Sequence, residues 1–310
     1  MTTTDKCVAV LGIFVTDLVF RASHQPAIGE TLLGSSYIMG PGGKGSNQAV
    51  AAARAGASVS FISKIGQDAF GDDALAVWKK EGIVPRVIRS ASEPTGAATI
   101  FLNELSGENA IIVVPGAASS ITPADIEAAA DAITASKVFV TQLELPVGAA
   151  RRGLEIARAA GVTTVLNPAP AAPMQDDIYA LCDYVIPNES EASSLTGLNV
   201  SSAGEARAAG DVLLKKGAGS VLITLGEKGA VFHTRERSVF LPAFFAGRAV
   251  DTVGAGDAFV GAFAAALARH MDPLDAARFA SAAAGISVTR PGAAAAMATR
   301  EETERLLAQI

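Results

Sequence analysis

Cysteine is scarce: only Cys7 and Cys182 occur in 310 residues. Two thiols are too few for a disulfide framework or a thiolate zinc site. Both stand in apolar, strand-like stretches and read as small buried hydrophobes. Positive charge is not in surplus either. The 25 Lys and Arg are outnumbered by 31 Asp and Glu, for a formal charge of −6. No Lys/Arg run marks a phosphate-binding strip, so no nucleic-acid partner is expected. No apolar run reaches the roughly 18 residues of a membrane span, so no membrane partner is expected. The first residues, MTTTDKCVAVLGIF, do not have the form of a secretory leader. These absences together point to a cytoplasmic protein.

What is present is a hydrophobic half, enough for a large core at this length. It comes in short runs. KCVAVLGI (6–13) has the pattern of a buried strand ending at Gly. SNQAVAAARAGA (46–57) is a small-residue helix closed by Gly56, and SVSFISKIG (58–66) is a second strand. DALAVWKKEG (73–82) predicts a helix. TPADIEAAADAITA (122–135) predicts another, with Thr122 three before Asp125 as in a capping box. Strands over 137–144, 162–167 and 220–226 alternate with helices over 148–161 and 204–217. The alternation predicts an α/β fold: a mostly parallel central sheet with helices on both faces.

Two stretches break the rhythm. Residues 14–40 and 95–116 hold strand-like runs with hairpin-like connections and no helix. They predict a small antiparallel β lid that leaves the main body and returns. Such a flap folds over a ligand or buries one face against another subunit. No Pro/Ser-rich linker divides the chain, so 1–310 is expected to form one domain with this lid.

GPGGKG (40–45) matches the G-x-G-x-x-G pattern of dinucleotide sites, which would suit a nicotinamide oxidoreductase. That motif should open the first βαβ unit and precede, by about 20 residues, an acid ending the next strand. Here it follows the lid, and the next strand ends near Lys64. No G-x-x-x-x-G-K-[ST] phosphate loop occurs. The same glycines have another use: Gly42, Gly43 and Gly45 let a polar ligand approach the backbone. Asn47 has an amide able to donate to and accept from sugar hydroxyls. Asp17, an acid in an apolar strand run, either accepts from two neighbouring hydroxyls or faces outward. Glu144 follows a strand at the edge where open α/β sheets bind ligands, or is a loop charge. In PNESEA (187–192), Asn188 and Glu191 either cap a helix or orient magnesium-bound water and phosphate; the two uses are compatible. Thr224 and Gly226, in TLGEKG (224–229), accept a nucleotide phosphate or form a tight hairpin.

The stretch VDTVGAGDAF (250–259) carries the most chemistry. Gly254, Ala255 and Gly256 precede the helix DAFVGAFAAALARHM, whose free backbone N–H groups and dipole make an anion site. Asp257 is then either a helix cap or a base. As a base it takes the proton of an attacking hydroxyl while the amides hold the charge developing on a γ-phosphoryl group.

GGKGSNQAVAAARAGA and DTVGAGDAFVGAF resemble the two signatures of the PfkB, or ribokinase-like, sugar kinase family. QLELP, LNPAPA, PNESEA, LITLGEKG and ISVTRPGA fall between or after them in the family's order, and the resemblance covers essentially the whole chain. It implies an enzyme that transfers the γ-phosphoryl group of ATP to a primary sugar hydroxyl. Asp257 is then the base, with Gly254, Ala255 and Gly256 as the anion hole. Asp17, Gly43, Lys44, Asn47 and Glu144 surround the sugar. Asn188, Thr224, Gly226, Gly229, Gly256 and Ser281 face ATP, and Glu191 holds Mg²⁺ through water. A monovalent cation, K⁺, is implied at Asp251 and the backbone of Val253, Ser287, Arg290 and Gly292. A homodimer through the β lid is implied too.

Two departures bear on that picture. The family's ribose-phosphorylating members have Asn two residues before the sugar-binding Asp; here it is Val15, so a hydroxyl partner is lost. Ala296 stands where a Ser is usual, which removes one cation ligand. Ribose is the leading substrate, with another pentose, deoxyribose, a ketohexose, a sugar acid or a nucleoside as alternatives. A catalytically silent sugar-binding regulator is the rival from another class, and the intact GAGD argues against it.

Overall fold

The apolar run after Lys6 forms the first strand. A computed structural model describes residues 7–309; residues 1–6 and 310, the ends of the expected domain, lie outside it. The chain runs β1 (Cys7–Leu11), β2 (Val15–Ala22), β3 (Ser36–Gly42), α1 (Lys44–Arg54), β4 (Ser58–Gly66), α2 (Ala69–Lys80) and β5 (Val84–Ser90). Then follow β6 (Thr95–Asn103), β7 (Asn109–Gly116), α3 (Pro123–Ala128), α4 (Ala130–Thr134), β8 (Val138–Thr141), α5 (Val147–Ala159) and β9 (Thr163–Leu166). The last part holds β10 (Tyr184–Val185), α6 (Glu189–Thr196), α7 (Ala203–Lys215), β11 (Ser220–Thr224), β12 (Gly229–His233), β13 (Ser238–Pro242), α8 (Ala255–Ala268), α9 (Pro273–Ser287) and α10 (Arg300–Leu307).

Nine strands form the main sheet, in the order β13-β12-β11-β10-β9-β8-β1-β4-β5. From β5 to β11 every pairing is parallel. Helices cover both faces, so a strand such as β8 is buried at all four positions and reads as a continuous apolar run. Residues of α1, α2, α8 and α9 pack on one face; residues of α3 to α7 pack on the other. β12 and β13 are antiparallel, because the short turn after β11 leaves no length for a crossover. The helix expected over 122–135 is two, broken at Ala129, and the Thr122–Asp125 capping box is present.

The two excursions form a second, four-stranded sheet, β3-β2-β6-β7. Each excursion is an antiparallel hairpin, β2 with β3 and β6 with β7. The middle pair, β2 with β6, is parallel. The reason lies in the main sheet: β2 follows β1 and β6 follows β5, two parallel strands whose ends lie on one edge. Both hairpins therefore set out in the same direction. Side chains alternate across a strand, so Val15, Asp17 and Val19 share one face. Their partners Ile38, Ala98, Ile100, Ile111 and Val113 extend it.

Candidate active site

The turn that opens α8 and the C-terminal edge of the parallel strands enclose a cavity of about 210 Å³. Lys44, Asn188, Glu191, Thr224, Gly254, Gly256 and Asp257 all line it. The turn is forced by Gly254, whose φ of 78° is left-handed. A Cβ there would lie 2.9 Å from that of Ala293. α8 has no side-chain cap. The Ala255 N–H reaches back to the Thr252 carbonyl at 3.3 Å, and a Cβ on Gly256 would meet nothing within 4 Å. The helix thus presents its first turn to open space, at its positive end.

Asp257 is buried, yet it caps nothing. Its Oδ2 accepts from Asn47 Nδ2 at 3.0 Å and its Oδ1 from Gln48 Nε2 at 3.0 Å. Both donors sit in the first turns of α1, which can approach so closely because the contacts are small. A Cβ on Gly261 of α8 would come 2.4 Å from the Gln48 carbonyl oxygen. One on Gly45 would come 2.6 Å from the Cα of Gly12. The glycines of GPGGKG thus serve the turn from β3 of the small sheet into α1 and its close packing on the residues after β1; they do not open the first βαβ unit. At the centre of that turn Gly43 has φ 87°.

Of the residues expected at the sugar, Lys44 lines this cavity, while Asp17, Gly43, Asn47 and Glu144 are not among its lining residues. Gly42 lies against Asp17, whose carboxylate oxygens would sit 2.3 Å from a Cβ there. The Lys44 N–H donates to Glu144 Oε2 at 2.8 Å, and Asn47 Oδ1 is buried with no partner. Burial, and then the Asp257 charge, push Asp17 up to about 6. Burial pushes Glu144 up to about 7, with Asp257 and Asp17 adding and Lys44 opposing. Burial also raises Asp257 and Glu191. For Asp257, Lys44, Asn47 and Gln48 pull the other way. Burial works against the Lys44 charge, but the carboxylates of Asp257, Glu144 and Glu191 outweigh it and hold its pKa above the ordinary value. Three acids around one ammonium, with Asp17 nearby, make a cluster rich in acceptors, fitted to a ligand that brings hydroxyl donors.

On the other side of the cavity, Asn188 caps α6: its side chain accepts from the Glu191 N–H at 2.8 Å, and Glu191 Oε2 accepts from the Asn188 N–H at 2.9 Å. A bridge joins Asn188 to Thr224, and Gly226 (φ 55°) follows within the next turn. Gly229 and Ser281 are not among the residues lining the cavity. Gly229 answers a packing need, since a Cβ there would lie 2.0 Å from the Leu241 carbonyl oxygen; Ser281 is buried within α9.

Asp251 ties two loops together, accepting from the Val253 N–H at 3.0 Å and the Gly292 N–H at 2.9 Å. The Arg290 guanidinium is held by Glu302, and the Ser287 hydroxyl by the Ala284 carbonyl. Arg290 therefore offers a cation only its main-chain oxygen, whereas the Ser287 hydroxyl, as a donor, keeps its own lone pairs. Four polar residues of this region carried no role in the sequence reading: Gln48, Gln142, Asn167 and Thr252. The signal was there for three of them, as amides inside the apolar runs SNQAVAAA, VFVTQLE and VLNPAPA.

The model of the pfkB family carbohydrate kinases matches residues 5–300. The chain belongs to the pfkB carbohydrate kinase family. It is 41% identical over 303 residues to a ribokinase of Haemophilus influenzae, covering 97% of this chain and 98% of that one. It is 38% identical over 287 residues to a deoxyribokinase of Salmonella typhi, covering 92% and 93%. Among solved structures, Arabidopsis thaliana ribokinase complexed with ribose and ATP superposes with a TM-score of 0.90 at 28% identity, over 97% and 98% of the two chains. As a pfkB kinase, the chain is an ATP-dependent carbohydrate kinase with the ribokinase-like fold.

Proposed function

We propose that this kinase transfers the γ-phosphoryl group of ATP to a primary hydroxyl of a pentose, ribose first. The observation that carries the reading is the inward carboxylate of Asp257, held between Asn47 and Gln48 beside the uncapped first turn of α8. The sugar lies over Asp17, Gly43, Lys44, Asn47 and Glu144, and the unpartnered Oδ1 of Asn47 accepts one of its hydroxyls. Asp257 takes the proton of the attacking hydroxyl as its oxygen bonds to the γ-phosphorus. The bond from that phosphorus to the bridging oxygen breaks, and ADP leaves. The α8 amides, with Gly254 and Gly256 at the turn, meet the charge that develops on the phosphoryl oxygens.

Bound with the nucleotide, magnesium would neutralise phosphate charge. Glu191, buried on the cavity wall beside Asn188 and Thr224, suits it, because Mg²⁺ needs only one or two carboxylates plus the phosphates. A monovalent cation fits the donor set at Asp251, one carboxylate among main-chain carbonyls, although Ala296 supplies no side-chain oxygen. The reading further includes a homodimer through the small sheet and a cytoplasmic setting, where ATP is available and Cys7 and Cys182 stay reduced.

One observation favours a second substrate. Val15 shares a face with Asp17 and is packed among apolar neighbours, with its Cγ1 where a Cβ on Gly96 would come within 2.8 Å. A sugar hydroxyl directed there finds no partner, and an unpaired buried hydroxyl costs about 1–3 kcal/mol. A 2-deoxypentose avoids that cost, and one relative is a deoxyribokinase. The test compares kcat/KM for ribose and 2-deoxyribose in the wild type and in Val15→Asn. The substitution is expected to shift the ratio toward ribose by about tenfold, the equivalent of one such hydrogen bond. An unchanged ratio removes Val15 from substrate choice. An Asp257→Asn variant that still turns over either sugar at near-wild-type rate removes the mechanism.

A further inference from the structure

Gln48 is wholly buried in α1, and its amide has only one workable orientation. Asn167 Nδ2 donates to the Ile186 carbonyl at 2.7 Å, which leaves Asn167 Oδ1 facing Gln48 as an acceptor. Gln142 Nε2 donates to Gln48 Oε1 at 2.6 Å. The two hydrogens on Gln48 Nε2 then go to Asn167 Oδ1 at 2.9 Å and to Asp257 Oδ1 at 3.0 Å. Turned over, the amide would set its oxygen against two acceptors and its NH₂ against another NH₂. The chain of amides therefore fixes the ends of β8, β9 and β10 to α1 and, through α1, to Asp257.

We propose that Gln48 is a positioning residue for phosphoryl transfer: locked by Gln142 and Asn167, it holds the Asp257 carboxylate at a set rotation and, with Asn47, in its proton-accepting form. The proposal rests on Asp257 being the base. Two amide donors, one per carboxylate oxygen, leave each oxygen a lone pair and stop the group from turning. Among the described residues, only these two side chains hydrogen-bond the Asp257 carboxylate. The charged groups that face Asp257 are Lys44 from α1, Asp17 from β2, Glu144 beyond β8 and Glu191 from α6. Burial drives Asp257 toward its protonated form, and the Lys44 ammonium and the amides of Asn47 and Gln48 oppose it.

The experiment measures kcat and both KM values from pH 5 to 9 for wild type, Gln48→Met, Gln142→Met and Asp257→Asn, with ribose, 2-deoxyribose and MgATP. Gln48→Met keeps the length and removes both donors. It is expected to lower kcat at neutral pH by tenfold or more and to move the acid limb of the kcat profile upward by about one pH unit, with each KM changed less than threefold. Gln142→Met leaves the Gln48–Asp257 contact but removes the lock, and should move both quantities in the same direction by less. It also decides the matter if Gln48→Met does not fold. A wild-type acid limb in the folded variants, or a loss carried by KM alone, overturns the positioning role while an inactive Asp257→Asn keeps the base reading intact. Activity retained in Asp257→Asn overturns the base reading, and the proposal with it.

Discussion

At the scale of single residues, the site gathers more negative charge than it can easily keep. Asp17 and Glu144 have ordinary values of 3.8 and 4.5 and are raised to about 6 and about 7. A carboxyl raised by folding favours the native state while it is protonated. Its contribution is full below the unfolded value and is lost as pH rises through the folded one. The ligand-free protein should therefore lose stability at these two sites between about pH 4 and pH 7. Asp17→Asn should raise its Tm at pH 8 and leave it nearly unchanged at pH 4, by differential scanning fluorimetry. Binding runs the other way. A hydroxyl pair needs the ionised Asp17 as its acceptor, so the sugar Kd should rise about tenfold per unit as pH falls below 6. Calorimetric titration checks this, and a Kd that stays flat to pH 5 would take Asp17 out of the sugar site.

At the scale of elements, one contact places the chemistry. α1 brings Lys44, Asn47 and Gln48, α8 brings Asp257, and the two helices meet where Gly261 has no side chain. A larger residue there must push α8 off the Gln48 carbonyl and the Ala51 methyl, which a Cβ would approach to 2.4 and 2.6 Å. Gly261→Val is expected to cost about 1–3 kcal/mol in overpacking, read as a lower denaturant midpoint. It should also lower kcat well beyond what the stability loss explains, because it separates Asp257 from both amides. Full activity with lowered stability would show that the registry of these helices is not what sets the rate. The sequence disclosed each of these helices through its small-residue run, and Asp257 through the glycines before it. It did not disclose that the two runs face one another, because alanine and glycine spacing says a helix packs closely without saying on what. Gln48 was hidden for the same reason: its partners Gln142 and Asn167 stand about 94 and 119 residues away in the chain. The capping box of Asn188 and Glu191 was legible, since Asn followed three residues later by an acid marks a helix start.

At the scale of the molecule, the small sheet is the part left least covered. Both excursions were visible as strand runs without helices, yet the parallel pairing of β2 with β6 was not, since it follows from the order of strands in the main sheet. The face with Asp17 approaches Asp257 and Glu144 at Asp17 and leaves Ile38, Ile111 and Val113 exposed beyond it. The opposite face carries Phe20, Tyr37, Met39, Ile112 and Val114, all exposed, with Phe20 stacked on Tyr37 at 6.1 Å. A contiguous apolar face of this kind marks an interaction surface, and in the proposed homodimer a second copy of the same sheet would cover it with the same residues, as a two-fold interface requires. Ile112 is 67% exposed and opposes Thr99 on this face. Ile112→Lys is therefore expected to convert a dimer to a monomer in sedimentation equilibrium. Because Asp17 lies on the reverse of the same four strands, loosening the sheet should raise the sugar KM several-fold while leaving the KM for ATP near its wild-type value. A wild-type chain that sediments as a monomer would end the dimer reading. A monomeric variant with an unchanged sugar KM would separate assembly from substrate binding, and leave the small sheet to hold its sugar-side residues unaided.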